Sequence, residues 1–219
     1  MKIAYTGDLV LQQLNKNPSF IFGQFVDFMT SNNVKLCVNL ESPFIQSEMT
    51  SVKNKITLYS EIDSVKYLEY LKPFLINLSN NHINDYGDVS GRLTCETLND
   101  KSLSYYGIGY PEEKKHLFID EKLKNIQIAF TTRSSDLTGG PLFSDENFIG
   151  PYPPDLSLIR QLRDKYINYS IVVSMHWGIE DITYPEPEKR TLAYNIIDSG
   201  ADLIIGHHPH IIQPAEIYK

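Results

Sequence analysis

Short apolar runs alternate with amphipathic segments along the chain, and most of the runs end in a polar cluster. Residues 3–6 are strand-like and stop at Gly7 and Asp8. Asn17 then offers a helix cap and Pro18 suits a first turn, while Phe22, Phe25, Val26 and Met29 recur at helical spacing and should face the core. Val34–Leu40 alternates as a strand would and delivers Asn39 and Glu41 at its end, where Pro43 prevents simple continuation. Ser60 followed by Asp63 resembles a capping box with aspartate in the glutamate's place, opening a helix through Val65, Leu68 and Leu71 that ends before Pro73. Residues 74–78 form the next strand, followed by Ser79, Asn80, Asn81 and His82, then Asp85 and Gly87. Asp88–Asp100 reads as a helix, with Leu93 and Leu98 among its apolar positions.

The second half repeats the pattern. Residues 104–106 and 126–131 are expected strands, and residues 134–154, rich in Gly, Pro and Asp, an expected long loop. Leu156, Ile159, Leu162 and Tyr166 keep helical spacing, residues 171–175 form a strand ending at His176, Trp177 and Gly178, and Glu180 lies just beyond. A last helix over 188–199 stops at Gly200, and the run 201–205 feeds Gly206, His207, His208, Pro209 and His210. Strands alternating with helices imply an α/β fold, in which sites collect at the carboxyl ends of the strands.

Composition narrows the class. With 219 residues, 42% of them hydrophobic, the chain can bury a substantial core and is expected to form one domain over 1–219. A net charge of −7 argues against nucleic acid or an anionic membrane as partner, and tolerates a divalent metal well. Cys37 and Cys95 are too far apart for a zinc knuckle and too few for a disulfide framework, so they read as buried hydrophobes. No apolar run approaches the roughly 18 residues of a membrane span, and the amino terminus is already strand-like. A soluble, cytoplasmic protein without direct membrane insertion is expected.

Histidine placement changes the picture most. Three of the six histidines sit in the cluster at 207–210, and His82 and His176 each follow another strand-like run. Imidazoles two positions apart can aim at one point if the backbone turns between them. Taken singly, a carboxylate after glycine is usually a turn, an asparagine a cap, and a histidine a hydrogen-bonded structural group. Together Asp8, Glu41, Asn81, His176, His208 and His210 make a mixed oxygen and nitrogen donor set. Such a set holds one or two divalent ions, Mn, Fe or Zn, and two ions about 3.5–4 Å apart can clamp the oxygens of a displacement at phosphorus. His116, beside Lys114 and Lys115, reads as a surface residue. Arg133 reads as a surface ion-pair residue, with contact to an anionic substrate as the alternative. Residues 48–58, bearing Lys53 and Lys55, are either a loop lying over a site or a merely solvated one.

Gly7-Asp8, Asn39-Leu40-Glu41-Ser42-Pro43, Ser79-Asn80-Asn81-His82 with Asp85-Tyr86-Gly87, His176-Trp177-Gly178 with Glu180, and Gly200-Ala201-Asp202 leading into His207-His208-Pro209-His210 together resemble the motif series of the CapA family. These bacterial capsule and poly-γ-glutamate synthesis proteins are related to the calcineurin-like metallophosphoesterases. The resemblance implies a metallophosphatase-like sandwich of two β-sheets flanked by helices. It implies that Asp8, Glu41 and His210 hold one metal and that Asn81, His176 and His208 hold the other, with Glu41 as bridge. His82 would be the catalytic partner and Asp85 its orienting acid, whereas His207 matches neither family ligand. Two departures bear on this. Val10 stands where phosphoesterases at large have a histidine, which leaves one metal or two open. The sequence ends at Lys219 where family members continue, so part of the second sheet is expected to be shorter, missing or supplied by a partner chain.

The implied function is a metal-dependent phosphoesterase of capsule or other surface-polymer biosynthesis, acting on an anionic small-molecule or polymer substrate. A γ-glutamyl amide hydrolase or transfer factor, and a non-catalytic partner subunit of a polymer-synthesis assembly, are the alternatives.

Overall fold

A computed structural model describes residues 2–52, 56–132 and 143–219. Two four-stranded sheets lie face to face between two layers of helices, the sandwich that the sequence leads one to expect. In the first sheet, β1 (Lys2–Leu9), β2 (Val34–Leu40), β5 (Leu75–Asn77) and β6 (Tyr105–Tyr106) are all parallel and adjacent in that order. Helices α1 (Pro18–Ser31), α2 (Val65–Leu71) and α3 (Asp88–Asp100) connect them and cover the outer face through Met29, Leu68, Leu71 and Leu98. In the second sheet, β7 (Leu117–Asp120) and β8 (Asn125–Thr131) form an antiparallel hairpin, and β9 (Ser170–His176) and β10 (Leu203–His207) add parallel to it. Helices α4 (Leu156–Lys165) and α5 (Pro187–Asp198) cover that sheet through Ile159, Leu162 and Ile196. Parallel connections of this kind require crossovers, which is why a helix stands between β1 and β2, β2 and β5, β5 and β6, β8 and β9, and β9 and β10.

Between the sheets lie Cys37, Leu75, Tyr106 and Ala129, flanked by Tyr5, Phe74 and Phe118. Polar pairs bridge the same layer: Gln127 Nε2 donates to Tyr5 Oη at 2.8 Å, Ser79 and Thr131 hydroxyls meet at 2.7 Å, and Tyr106 and Ser174 at 3.1 Å. Buried hydroxyls and amides that pair across a layer fix the relative position of the two sheets, because any slide would leave them unsatisfied. Among the described residues no helix is long and apolar enough to cross a membrane.

Several local expectations are corrected. Ser60 and Asp63 form no capping box: Ser60–Glu61 is a short strand, β4, paired in parallel with β3 (Phe44–Ile45), and the helix starts only at Val65. Asn17 does cap α1, accepting from Ser19 N at 3.0 Å, yet Phe25 lies at the surface rather than in the core. His116 is not a surface residue. It is 8% exposed, with its ring 4.3 Å from that of Tyr152 and stacked on Phe130, because β7 turns inward directly after it.

Burial pushes the His116 pKa from 6.5 down to about 4, so the folded protein holds it neutral. A lowered folded-state value means that this stability is present above the unfolded value and is lost as pH falls. Denaturant titrations are therefore expected to show stability dropping between pH 6.5 and 4, and His116→Phe should make that slope shallower without loss at pH 7. An unchanged slope in the variant would contradict the buried, neutral assignment.

Candidate metal centre

The site begins with a slip in β1. Its register runs Tyr5 opposite Cys37, then Asp8 opposite Asn39, so one extra residue is accommodated around Thr6 and Gly7. Because side chains alternate across a strand, a one-residue shift moves Asp8 onto the same face as Asn39, toward the second sheet. There Asn39 Nδ2 donates to Asp8 Oδ1 at 2.6 Å, and the backbone N–H of His208 donates to Asp8 Oδ2 at 3.0 Å. His207 Nδ1 lies 3.1 Å from Asp8 Oδ1 and His210 Nδ1 lies 3.4 Å from Asp8 Oδ2. Burial alone would raise the Asp8 pKa. Hydrogen bonding to His207, the electrostatic influence of His176 and His207, and the Asn39 amide outweigh burial and hold the carboxyl well below the usual carboxylate range.

Glu41 follows directly on the end of β2 and is 1% exposed. Beyond β5 the chain turns through Ser79, Asn80, Asn81 and His82, all buried. Asn80 bolts this turn down rather than facing the site: its Nδ2 donates to Leu40 O and its Oδ1 accepts from His82 N, both at 2.9 Å. The neighbouring Asn81 is thereby presented to the second sheet, where its Oδ1 lies 2.7 Å from His176 Nε2. His82 Nδ1 meets Asp85 Oδ2 at 2.7 Å, and Asp85 is fully buried. The same carboxylate oxygen accepts from Leu58 N at 2.6 Å, and Asp85 O accepts from Val52 N at 2.7 Å. Val52 and Leu58, from the segment 48–58, are thus tied to Asp85 beside His82; Lys53 and Lys55 lie outside the described residues, as does Arg133.

From the second sheet come His176, at the end of β9, and the histidines after β10. Both His208 (φ 95°) and His210 (φ 56°) have left-handed backbone around Pro209, the turn between histidines that the spacing called for. Non-glycine residues held there cost on the order of 1–3 kcal/mol each, which persists only where surroundings over-determine it. Trp177 N donates to His207 O at 3.2 Å and Asp181 N to Pro209 O at 3.0 Å, so the two loops brace one another. That bracing also brings Glu180 Oε1 to 3.8 Å from His210 Nε2. The sequence places Glu180 in the motif without showing this approach, because it depends on how the loop folds back through Gly178 at φ 95°.

Glu41 stands at ligand spacing from two of the histidines rather than at hydrogen-bond distance, while Asn81 and His176 also hydrogen-bond to one another. Glu41 Oε1 lies 3.7 Å from both His176 Nε2 and His210 Nε2, too far for good hydrogen bonds. Ligand atoms each about 2.1 Å from one ion stand roughly 3 to 3.6 Å apart, close to this spacing. Three groups of donors each have their ligand atoms within 4.8 Å of one another: Glu41, His176 and His208; Asp8, Glu41 and His210; and Glu180, His208 and His210. Glu41 belongs to two of them, the position of a shared ligand. Burial holds the His176 pKa well below its ordinary value, so its ring is neutral, the form in which imidazole can donate a lone pair to a cation. His210, 38% exposed at its side chain, marks the open side of the cluster.

All six residues expected to bind metal therefore meet, and His82 with Asp85 lies beside them, close enough for His82 to influence His176 electrostatically. Where phosphoesterases at large place a histidine and this chain has Val10, the Asp8 carboxylate is met instead by His207.

Over residues 2–219 the chain matches the family model described as bacterial capsule synthesis protein PGA_cap. It is similar to the PGA biosynthesis protein CapA of Bacillus subtilis (strain 168), with 28% identity over 229 aligned residues covering 100% of this chain and 60% of that protein. Similarity to the capsule biosynthesis protein CapA of Bacillus anthracis is 26% over 194 residues, 83% of this chain and 46% of that one. A probable polyglutamine synthesis accessory protein of Mycobacterium tuberculosis is 24% identical over 216 residues, 90% of this chain and 56% of its own length. The chain thus spans between 46% and 60% of the length of these relatives. On this match, and on the motifs that meet at the junction of the two sheets, the chain belongs to the bacterial capsule synthesis protein PGA_cap family, known as CapA.

Proposed function

We propose that this protein is a metal-dependent phosphoesterase serving bacterial capsule or related surface-polymer synthesis. The observation that carries the reading is the Glu41 carboxylate oxygen set equally between His176 and His210, 3.7 Å from each, with a buried histidine–carboxylate pair alongside. Asp8, Glu41 and His210 would hold one ion, and Asn81, His176 and His208 a second that shares Glu41; Glu180 is placed to assist at the open side. When bound, Mn, Fe or Zn supplies Lewis acidity and charge neutralisation at a phosphoryl group.

The chain's own residues supply the rest. Asp85 accepts a hydrogen bond from His82 Nδ1–H, which orients the ring; with Nδ1–H kept on Asp85, the imidazolium form would give its Nε2 proton to the leaving-group oxygen and return to the neutral ring. Leu58 N, donating to the same Asp85 oxygen, holds the carboxylate in place. Asn80 keeps His82 at a fixed height above the end of β2. His176, held neutral, keeps a lone pair available near neutral pH.

A second reading is favoured by the word "accessory" in the name of the mycobacterial relative. In it the metal cluster braces the two sheets of a subunit in a polymer-synthesis assembly, and His82 transfers no proton.

Two outcomes are expected. Adding Mn²⁺ or Zn²⁺ to chelator-treated protein should raise its melting temperature, and Glu41→Ala should abolish the rise while leaving the far-ultraviolet dichroism intact. A variant that still responds to metal would remove Glu41 from the centre. Against a panel of phosphomonoesters, phosphodiesters and γ-glutamyl amides, His82→Ala should lower turnover of a phosphoester by about 10²–10⁴ with metal content unchanged. Capsule polymer made at normal levels by cells carrying His82→Ala would favour the accessory reading, and turnover of amides alone would replace the phosphoester assignment.

A further inference from the structure

Two residues adjoining the supports of the His82–Asp85 pair in the chain help line a pocket of about 550 Å³, formed among the described residues by Ile45, Ser47, Met49, Tyr59, Glu61 and Tyr86. Its two aromatic walls are covalent neighbours of the dyad's supports. Tyr86 directly follows Asp85, and Tyr59 directly follows Leu58, whose N–H holds the Asp85 carboxylate. The pairing of β3 with β4 sets Ile45 opposite Glu61, so the floor of the pocket is fixed by a backbone ladder. Both tyrosines are thus held one residue from groups that support His82.

The lining chemistry is selective. The Tyr59 and Tyr86 rings stand nearly perpendicular, 80° between planes and 6.3 Å between centroids, which makes a corner of two electron-rich walls. Glu61 adds a carboxylate and Met49 a polarisable thioether, whereas none of the described lining residues is basic. Aromatic walls with a carboxylate are the combination that binds ammonium groups, through the ring quadrupole and direct charge attraction. An anionic polymer segment would meet Glu61 unfavourably, in a protein already carrying a net charge of −7.

We propose that the corner of Tyr59, Tyr86 and Glu61 is a substrate subsite for a cationic amine, a primary or quaternary ammonium carried on the leaving-group side of the phosphoester. This role in turnover rests on the phosphoesterase reading, while the binding property itself does not. The substrate would then be zwitterionic, its anion at the metal centre and its cation between the tyrosines.

The test uses choline and its neutral isostere 3,3-dimethylbutan-1-ol, titrated calorimetrically into the full chain treated with chelator, so that no turnover is involved. Choline should bind roughly three- to thirtyfold more tightly than the alcohol, and Glu61→Gln and Tyr59→Leu should each erase most of that difference. Equal affinities, no choline binding, or choline binding unmoved by both variants would overturn the subsite. With metal restored, phosphocholine should show a KM several-fold below that of 3,3-dimethylbutyl phosphate at similar kcat. Equal KM values with intact choline binding would detach the pocket from the substrate path, and absence of any phosphoester turnover alongside choline binding would count against the phosphoesterase reading alone.

Discussion

Asp8 is the joint on which the two sheets and their site depend. Its carboxylate takes a hydrogen bond from Asn39 on β2 and another from the backbone of His208, 200 positions away, just beyond β10. A buried carboxylate is costly unless it is hydrogen-bonded and near compensating groups, and here the histidines of the last turn provide that surrounding. The contact exists only because β1 slips by one residue before Asp8. Without the slip the side chain would point to the outer face, where Leu36 and Val38 pack under α1 and α2. The polar junction would then lose the group to which the turn at 207–210 is fastened.

The rest of the centre follows from the carboxyl ends of parallel strands being brought to one edge. β2 delivers Glu41, the turn after β5 delivers Asn81 and His82, β9 delivers His176, and β10 delivers the last histidines. Strands buried on both faces cannot accept such residues in their middles, so polar groups concentrate where the strands stop. That constraint is why the donors were legible as a set. It also explains the fixed supporting contacts, Asn80 to Leu40 and the Ser79–Thr131 pair, which hold the turn without facing the donors.

Elements with a long, clean period were readable from sequence: Val34–Leu40 and Asp88–Asp100 have the observed bounds. The two-residue strands Phe44–Ile45 and Ser60–Glu61 were not, because two residues carry no period, and Ser60 was read through a local capping signal that pairing with Phe44 overrides. His116 was judged by its charged neighbours Lys114 and Lys115, whereas its burial is decided by the hairpin that starts at Leu117. Within the site, Glu180 and His207 had no assigned role in the sequence. Their positions come from two loops bracing each other across Pro209 and Trp177, a tertiary fact with no local signature. For residues 48–58 the sequence left two readings, a loop over a site or a solvated one; the structure shows Val52 and Leu58 hydrogen-bonded to Asp85, contacts that no local pattern signals.

The proposed function requires that residues spread from Asp8 to His210 enclose a divalent cation between the two sheets. Anomalous diffraction from crystals grown with Mn²⁺, recorded on both sides of the manganese edge, tests it most directly. One or two peaks are expected within coordinating distance of Glu41, His176, His208 and His210. Manganese bound only elsewhere on the molecule, with those side chains ordered around no peak, would contradict it.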